Sequence, residues 1–278
     1  MYLIYKTTKP INGSRINWGN SITKGLANVW LFNECRGFKV EDLVGVSNGT
    51  MGGFNNSSTS GWVGGKYGIG ISFDGTDDNI DCGSSETLDF SSAFSGAALI
   101  YPRTLGANNG GRIFDKRDEA GTQGYGINLT TINRFQLNCP GVGSVTSSNN
   151  AIILNAWNFI VATKVGGASG AVNLYVNGVN VGTGTLNDFV ANSGESLIIG
   201  AGANSAARWF DGIIMYVCLW RRVLSPGEVK NLYNFPYYFI YAHVRRPIFP
   251  TIVSGAININ RIERKFSRGV LRGIGRGR

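Results

Sequence analysis

The chain has 278 residues and a formal charge of +9, from 26 Lys and Arg against 17 Asp and Glu. Hydrophobic residues make up 43% and charged ones 15%, which excludes disorder throughout and is enough for one sizeable core. The 40 glycines show neither a collagen-like period nor Gly/Ser repeats, so they read as turn residues between many short strands.

The charge is uneven. Residues 1–236 hold 17 basic and 16 acidic side chains. Residues 237–278 hold Arg245, Arg246, Arg261, Arg264, Lys265, Arg268, Arg272, Arg276 and Arg278 against Glu263 alone. A near-neutral body with a basic end points to anchoring or assembly, and nucleic-acid binding is disfavoured. Cys35, Cys82, Cys139 and Cys218 form no Cys-x-x-Cys pair and no cluster with histidine, so buried free thiols are expected instead of zinc. Residues 1–10 lack the apolar run and cleavage site of a signal peptide, and nowhere does an apolar stretch approach membrane-spanning length.

Strands are predicted at 27–32, 70–73, 79–82, 97–101, 111–115, 124–129, 134–138 and 157–164. Residues 172–181 alternate apolar and polar side chains around Asn177-Gly178, the pair that type I′ hairpin turns favour. Further strands fall at 196–200 and 212–220. This spacing, without intervening helical patterns, predicts an all-β, two-sheet antiparallel sandwich. One short helix closes it: Ser225-Pro226-Gly227-Glu228 supplies a capping hydroxyl, a first-turn proline and a carboxylate able to reach back to the cap. The expected organisation is a lead at 1–24, a sandwich at 25–236 and an arm at 237–278.

The stretches GLANVWLFNE (25–34), FDGTDDNID (73–81), WNFIVAT (157–163), LYVNG (174–178), LIIG (197–200), FDG (210–212) and LS (224–225) resemble the ordered signposts of a laminin-G-like jelly roll. That fold family lies in the concanavalin A-like lectin/glucanase superfamily. Flanking INW (16–18), TKGL (23–26), LY (232–233), PYYF (236–239) and RRP (245–247) are similar to jelly rolls encoded by tailed bacteriophages.

The resemblance implies one structural calcium ion, with Asp42, Asn48 and Asp211 at the matching positions and backbone carbonyls completing the site. It also departs from the family, because Ile214 is followed by Met215 and Tyr216 where relatives carry an acid. Glucan-hydrolysing relatives carry Glu-x-Asp-x-x-Glu or Glu-x-Asp-x-Glu on a strand, since retaining glycosidases need two carboxylates across the scissile bond. Neither spacing occurs here. The acids at Asp74, Asp77, Asp78 and Asp81 read as turn and strand groups, and Asp115, Asp118 and Glu119 as a charged loop. His243, the single histidine, lies in the arm, and Gly64 to Gly68 lacks the spacing of a phosphate-binding loop, so no enzyme is expected.

Trp62, Tyr67, Tyr125 and Trp209 are the aromatic candidates for glycan contact. In the arm, isoleucines interleave with the nine basic residues, a pattern suited to docking on a protein sheet edge. The expected function is a non-enzymatic virion decoration protein, assembled in the host cytoplasm and anchored to capsid or tail proteins, or to further copies of itself, through the arm. The alternative is a lectin module that adheres to glycans.

Overall fold

The computed structural model describes residues 7–118, 120–190, 194–203 and 208–241. In chain order these form β1 (Arg15–Ile16), β2 (Leu26–Trp30), β3 (Lys39–Val40), β4 (Gly49–Gly52), β5 (Gly61–Gly65), β6 (Gly68–Asp74), β7 (Asn79–Asp81), β8 (Phe94–Pro102) and β9 (Arg112–Arg117). There follow β10 (Gly124–Thr130), β11 (Arg134–Cys139), β12 (Gly143–Thr146), β13 (Asn158–Lys164), β14 (Gly170–Val176), β15 (Val179–Leu186), β16 (Ile198–Ile199), β17 (Asp211–Trp220), α1 (Pro226–Asn234) and β18 (Ile240–Tyr241). Among the described residues no helix is long and apolar enough to cross a membrane.

The back sheet runs β12-β11-β10-β9-β16-β7-β4-β3 and the front sheet β15-β14-β13-β8-β17-β6-β5. All of the sheet pairings are antiparallel, as the hairpin-rich sequence predicts. Asn177 and Gly178 both have positive φ, 52° and 78°, which is the backbone of the type I′ turn that joins β14 to β15. Strand β17 is long enough to serve two neighbours along one edge. Its Asp211–Ile214 half pairs with β6 and its Val217–Trp220 half with β2, with a bulge at Met215 between them.

Alternation sorts the front sheet's side chains into two apolar layers. Ala98, Ile100, Ile160, Ala162, Leu174, Val217 and Leu219 face the back sheet and form the core with Phe73, Phe94, Phe114 and Tyr125. Ala97, Leu99, Phe159, Val161, Tyr175, Tyr216 and Cys218 face the other way and are covered by Ile16, Ile22, Val229, Leu232, Tyr237, Phe239 and Ile240. The covering comes from both ends of the chain: α1 lies there, and β1 pairs with β18 through Arg15↔Tyr241 and Ile16↔Ile240. The expected boundaries at 25 and 236 therefore need correction. Part of the lead and the aromatic run to Tyr241 belong to the domain, because Tyr237, Phe239 and Ile240 are buried. The rest of the arm, with its nine basic residues, lies outside the described residues.

The helix begins as predicted. Glu228 N donates to Ser225 Oγ at 3.3 Å, and Ser225 N donates to the Glu228 carboxylate at 2.9 Å, closing the reciprocal cap. Arg222 adds an ion pair to Glu228 at 2.6 Å and holds that carboxyl below its ordinary value. Cys82, Cys139 and Cys218 are buried and Cys35 is exposed. Burial pushes the Cys139 thiol up to about 12 and raises those of Cys82 and Cys218 as well. A thiol reagent at neutral pH is expected to label one cysteine per folded chain at Cys35, and all four after denaturation; a second fast-reacting thiol would contradict the packing.

Candidate functional site

The outer face of the front sheet is sealed by the chain's own ends, whereas the back sheet presents a polar outer face. Strand β11 shows why: Phe135, Leu137 and Cys139 enter the core, so Arg134, Gln136 and Asn138 point outward. Register continues this face across strands. Gln136 lies between Asn128 on β10 and Thr146 on β12, and Asn138 between Gly126 and Ser144. Gln136 Nε2 donates to Asn128 Oδ1 at 3.2 Å and Gln136 Oε1 accepts from Thr146 Oγ1 at 3.2 Å, making a ladder of amide and hydroxyl groups. On the other side of β9, Ile198, Asp81 and Thr50 continue the row from Asp115.

Strand β9 carries the charged part. A bulge opposite the Ile127/Asn128 step inserts Ile113, so that Arg112 pairs with Asn128 while Phe114 pairs with Ile127. Strict alternation would place Arg112 and Asp115 on opposite faces; the bulge brings them to the same one. Arg117 Nε donates to the Asp115 carboxylate at 2.8 Å, Arg112 Nε lies 3.6 Å from it, and Ala203 N donates to it at 3.3 Å. Burial raises the Asp115 carboxyl above its usual value, against the pull of both guanidiniums, and lowers Arg112 to about 10. Arg208 adds a further positive field, and its carbonyl accepts from Arg112 N at 3.1 Å. Gly126 leaves room for the carboxylate: a Cβ there would stand 2.5 Å from Asp115 Oδ1. Lys116, between these residues, points inward and donates to Glu195 O at 2.6 Å.

The four aromatic candidates do not gather on one surface. Tyr125 is a core residue, 1% exposed, whose hydroxyl donates to Leu88 O at 2.8 Å while its ring packs against Phe90 and Phe94. Its inward phase on β10 removes it from any glycan contact. Trp62 packs against the same core from the β5 edge and donates Nε1 to Gly37 O at 2.9 Å. Tyr67 lies against the outer layer of the front sheet, edge-on to Tyr237. Trp209 is half-buried beside Arg208 in the chain, its carbonyl accepting from Ala107 N.

The calcium candidates are likewise divided. Asp42 Oδ1 accepts from Val29 N and Val44 N at 2.8 and 3.1 Å, and Oδ2 from Asn28 Nδ2 and Ser47 N at 2.9 and 3.2 Å. Asn48 Oδ1 accepts from Asp42 N at 2.9 Å. These oxygens face N–H donors, which is the surrounding of a turn-forming Asx residue and not of a hard cation. Asp211 pairs with Asp74 and binds Arg103 at 2.7 Å; six residues along β17, about 20 Å, separate it from Val217, which pairs with Trp30 beside Asp42. The three residues do not fit one calcium site. Asp74, Asp77 and Asp78 bring carboxylate oxygens within 4.8 Å of one another. Ser60 Oγ and Asp74 N each donate to Asp78 at 2.8 Å, and burial lifts its carboxyl to about 6. Asp115 lies, buried, on the strand expected at 111–115 and not in a charged loop; Asp118 caps its own turn through Thr122 N, and Glu119 lies outside the described residues.

A family profile described as the concanavalin A-like lectin/glucanases superfamily, of laminin-G type, matches residues 74–230, more than half of the chain. The chain belongs to this superfamily. No curated protein sequence is significantly similar to it. Among solved structures, domain 4 of AbnA, an extracellular arabinanase of Geobacillus stearothermophilus in complex with arabinotriose, is similar at 20% identity and a TM-score of 0.55, over 74% of this chain and 97% of that one. The binding domain of Paraclostridial Mosquitocidal Protein 1 gives 19% identity and a TM-score of 0.58, over 76% and 52%. That of botulinum neurotoxin serotype D/C VPI 5993 gives 13% and 0.54, over 77% and 53%. The chain spans about half the length of these two toxin chains. At such identities the likeness is one of fold.

Within this jelly roll, the residues that meet on the outer side of the back sheet, the half-buried Arg117, Gln136, Asn138 and Thr146 and the buried Arg112 and Asn128, are absent from the sequence-based candidates. Part of the signal was available, since Arg134 to Cys139 alternates polar and apolar side chains without interruption. The other part was hidden by the bulge at Ile113.

Proposed function

We propose that this superfamily member is a non-enzymatic carbohydrate-binding module whose receptor is the outer face of the back sheet. One observation carries the reading: the chain's own ends bury the outer face of the front sheet, while the back sheet keeps Thr50, Asp81 and Ser144 exposed and Gln136, Asn138 and Thr146 half-buried. Amides and hydroxyls in a flat row offer the alternating donors and acceptors that sugar hydroxyls need. The arabinotriose complex of the similar AbnA domain supports the same reading. The test is an array of neutral and acidic oligosaccharides probed with the whole protein. Replacing Gln136 and Asn138 together by Ala is expected to weaken the glycan bound by about tenfold or more, with the melting temperature unchanged and no new reducing ends released. Absence of binding to every glycan would overturn the proposal.

A second reading, display of this module on a bacteriophage particle, is favoured by the nine basic residues between 237 and 278. Removal of residues 242–278 is then expected to leave the melting temperature of the domain unchanged and to abolish incorporation into particles. Normal incorporation would sink this reading.

A further inference from the structure

We propose that Arg112 and Arg117 form an anion-binding subsite on this face, which receives the carboxylate of an acidic sugar. The inference rests on the carbohydrate reading of the face and names the ligand class. Its first ground is a count of donors. Arg112 Nε and Nη1 and Arg117 Nη2 are buried without a hydrogen-bond partner, and the Arg112 side chain is only 8% exposed. Buried guanidinium donors are ordinarily satisfied, because an orphaned one forfeits its hydration without return.

The second ground is charge. Two guanidiniums, those of Arg112 and Arg117, flank the single carboxylate of Asp115, and Arg208, whose carbonyl accepts from Arg112 N, adds its positive field to Arg112. Asp115 accepts from Arg117 Nε and Ala203 N and stands 3.6 Å from Arg112 Nε, too far to satisfy it, so the remaining donors stay unpartnered. A second carboxylate, brought by the ligand, matches both the planar fork of a guanidinium and the sign of the excess charge. The neighbouring Asn128–Gln136–Thr146 ladder then lies where the hydroxyls of the same sugar can be read. The hydroxyls of a neutral sugar can accept from such donors but bring no charge to match the excess.

The test compares α-1,4-linked trigalacturonate with galactotriose of the same linkage, in which each carboxylate is a hydroxymethyl group. The whole protein is expected to bind trigalacturonate about tenfold or more tighter than galactotriose, with the difference shrinking at high salt. Arg117→Gln should erase that difference, lowering trigalacturonate binding far more than galactotriose binding. Arg208→Gln, which keeps the Asp115 ion pairs, serves as the second variant should Arg117→Gln fail to fold, and should reduce the preference about threefold or more. Equal binding of the two trisaccharides, or an equal loss of both in either variant, overturns the carboxylate subsite while the carbohydrate reading stands. Binding of neither trisaccharide, with neutral glycans bound on the array, also overturns the subsite alone; an empty array overturns both.

Discussion

A chain ended after Pro236 is expected to melt at least about 10 °C below one ended after Tyr241. The five residues between them include Tyr237, Phe239 and Ile240, each no more than 1% exposed. Burial of such a side chain contributes about 1.5–3 kcal/mol, so the loss is about 5 kcal/mol or more, and each kcal/mol shifts the midpoint of a domain this size by about 2–4 °C. The loss spreads, because Tyr216 packs edge-on to Tyr237 and Asn17 N donates to Phe239 O. Strand β1 loses its partner at the same time. Thermal unfolding of the two truncations measures the effect, and coincident melting curves would show that the outer apolar layer is not needed.

Raising the pH from 7 to 9.5 is expected to stabilise the protein by about 3 kcal/mol relative to a Lys9→Met variant; the buried thiols of Cys82, Cys139 and Cys218, which ionise in the unfolded chain over this range and act in the opposite direction, are common to both proteins. Lys9 is buried, and desolvation lowers its amine to about 7, opposed by the fields of Glu34 and Cys35. Its Nζ donates to Ile69 O and, at 2.7 Å, to Met215 O. Both carbonyls lie where β6 parts from β17: the ladder's last pair there is Ile71↔Ile214, and Met215 is the bulged residue. Two N–H bonds to two carbonyls suit a neutral amine. The sign follows from linkage. The folded value lies below the unfolded one, so between about 7 and 10.5 the unfolded chain holds the extra proton at Lys9 and the contribution of Lys9 to stability climbs with pH. Below about 7 both states are protonated and the gain is lost. Denaturant unfolding across this range measures the slope; the interval stops short of 10, above which ionisation of the buried Tyr125, Tyr216 and Tyr237, all raised by burial, acts in the opposite direction. Parallel slopes for wild type and variant would rule Lys9 out as the cause.

The sandwich was legible because its long strands carry their phase in the sequence. Arg134 to Cys139 and the Asn177-Gly178 hairpin read directly into β11 and into β14 with β15. Strands β3, β4, β5 and β12 were not legible: two are glycine-rich, and β3 has only two residues. Such segments hold their place through partners already set and carry little periodicity of their own. The open face escaped for a related reason. Arg112 and Asp115 are three apart, a spacing that alternation assigns to opposite faces, and only the register against Ile127 and Asn128 reveals the bulge that reunites them. Aromaticity misled at Tyr125, where residue type pointed to a ligand platform and strand phase put the ring into the core.

The two edges of the front sheet differ in when they can be completed on the ribosome. Strands β13, β14 and β15 are hairpin neighbours and can pair as soon as they emerge. Strand β2 emerges early but pairs with β17, and Trp220 Nε1 seals the junction by donating to Ile22 O across 198 residues of sequence. Until β17 and the helix behind it are synthesised, Val29 and Leu31 have no cover from Cys218 and Trp220. The nascent chain therefore carries an unpaired apolar strand until residues 217–220 have been made. Closure of the domain waits for residues 211–240, and it is the step most exposed to capture by chaperones or by a neighbouring chain.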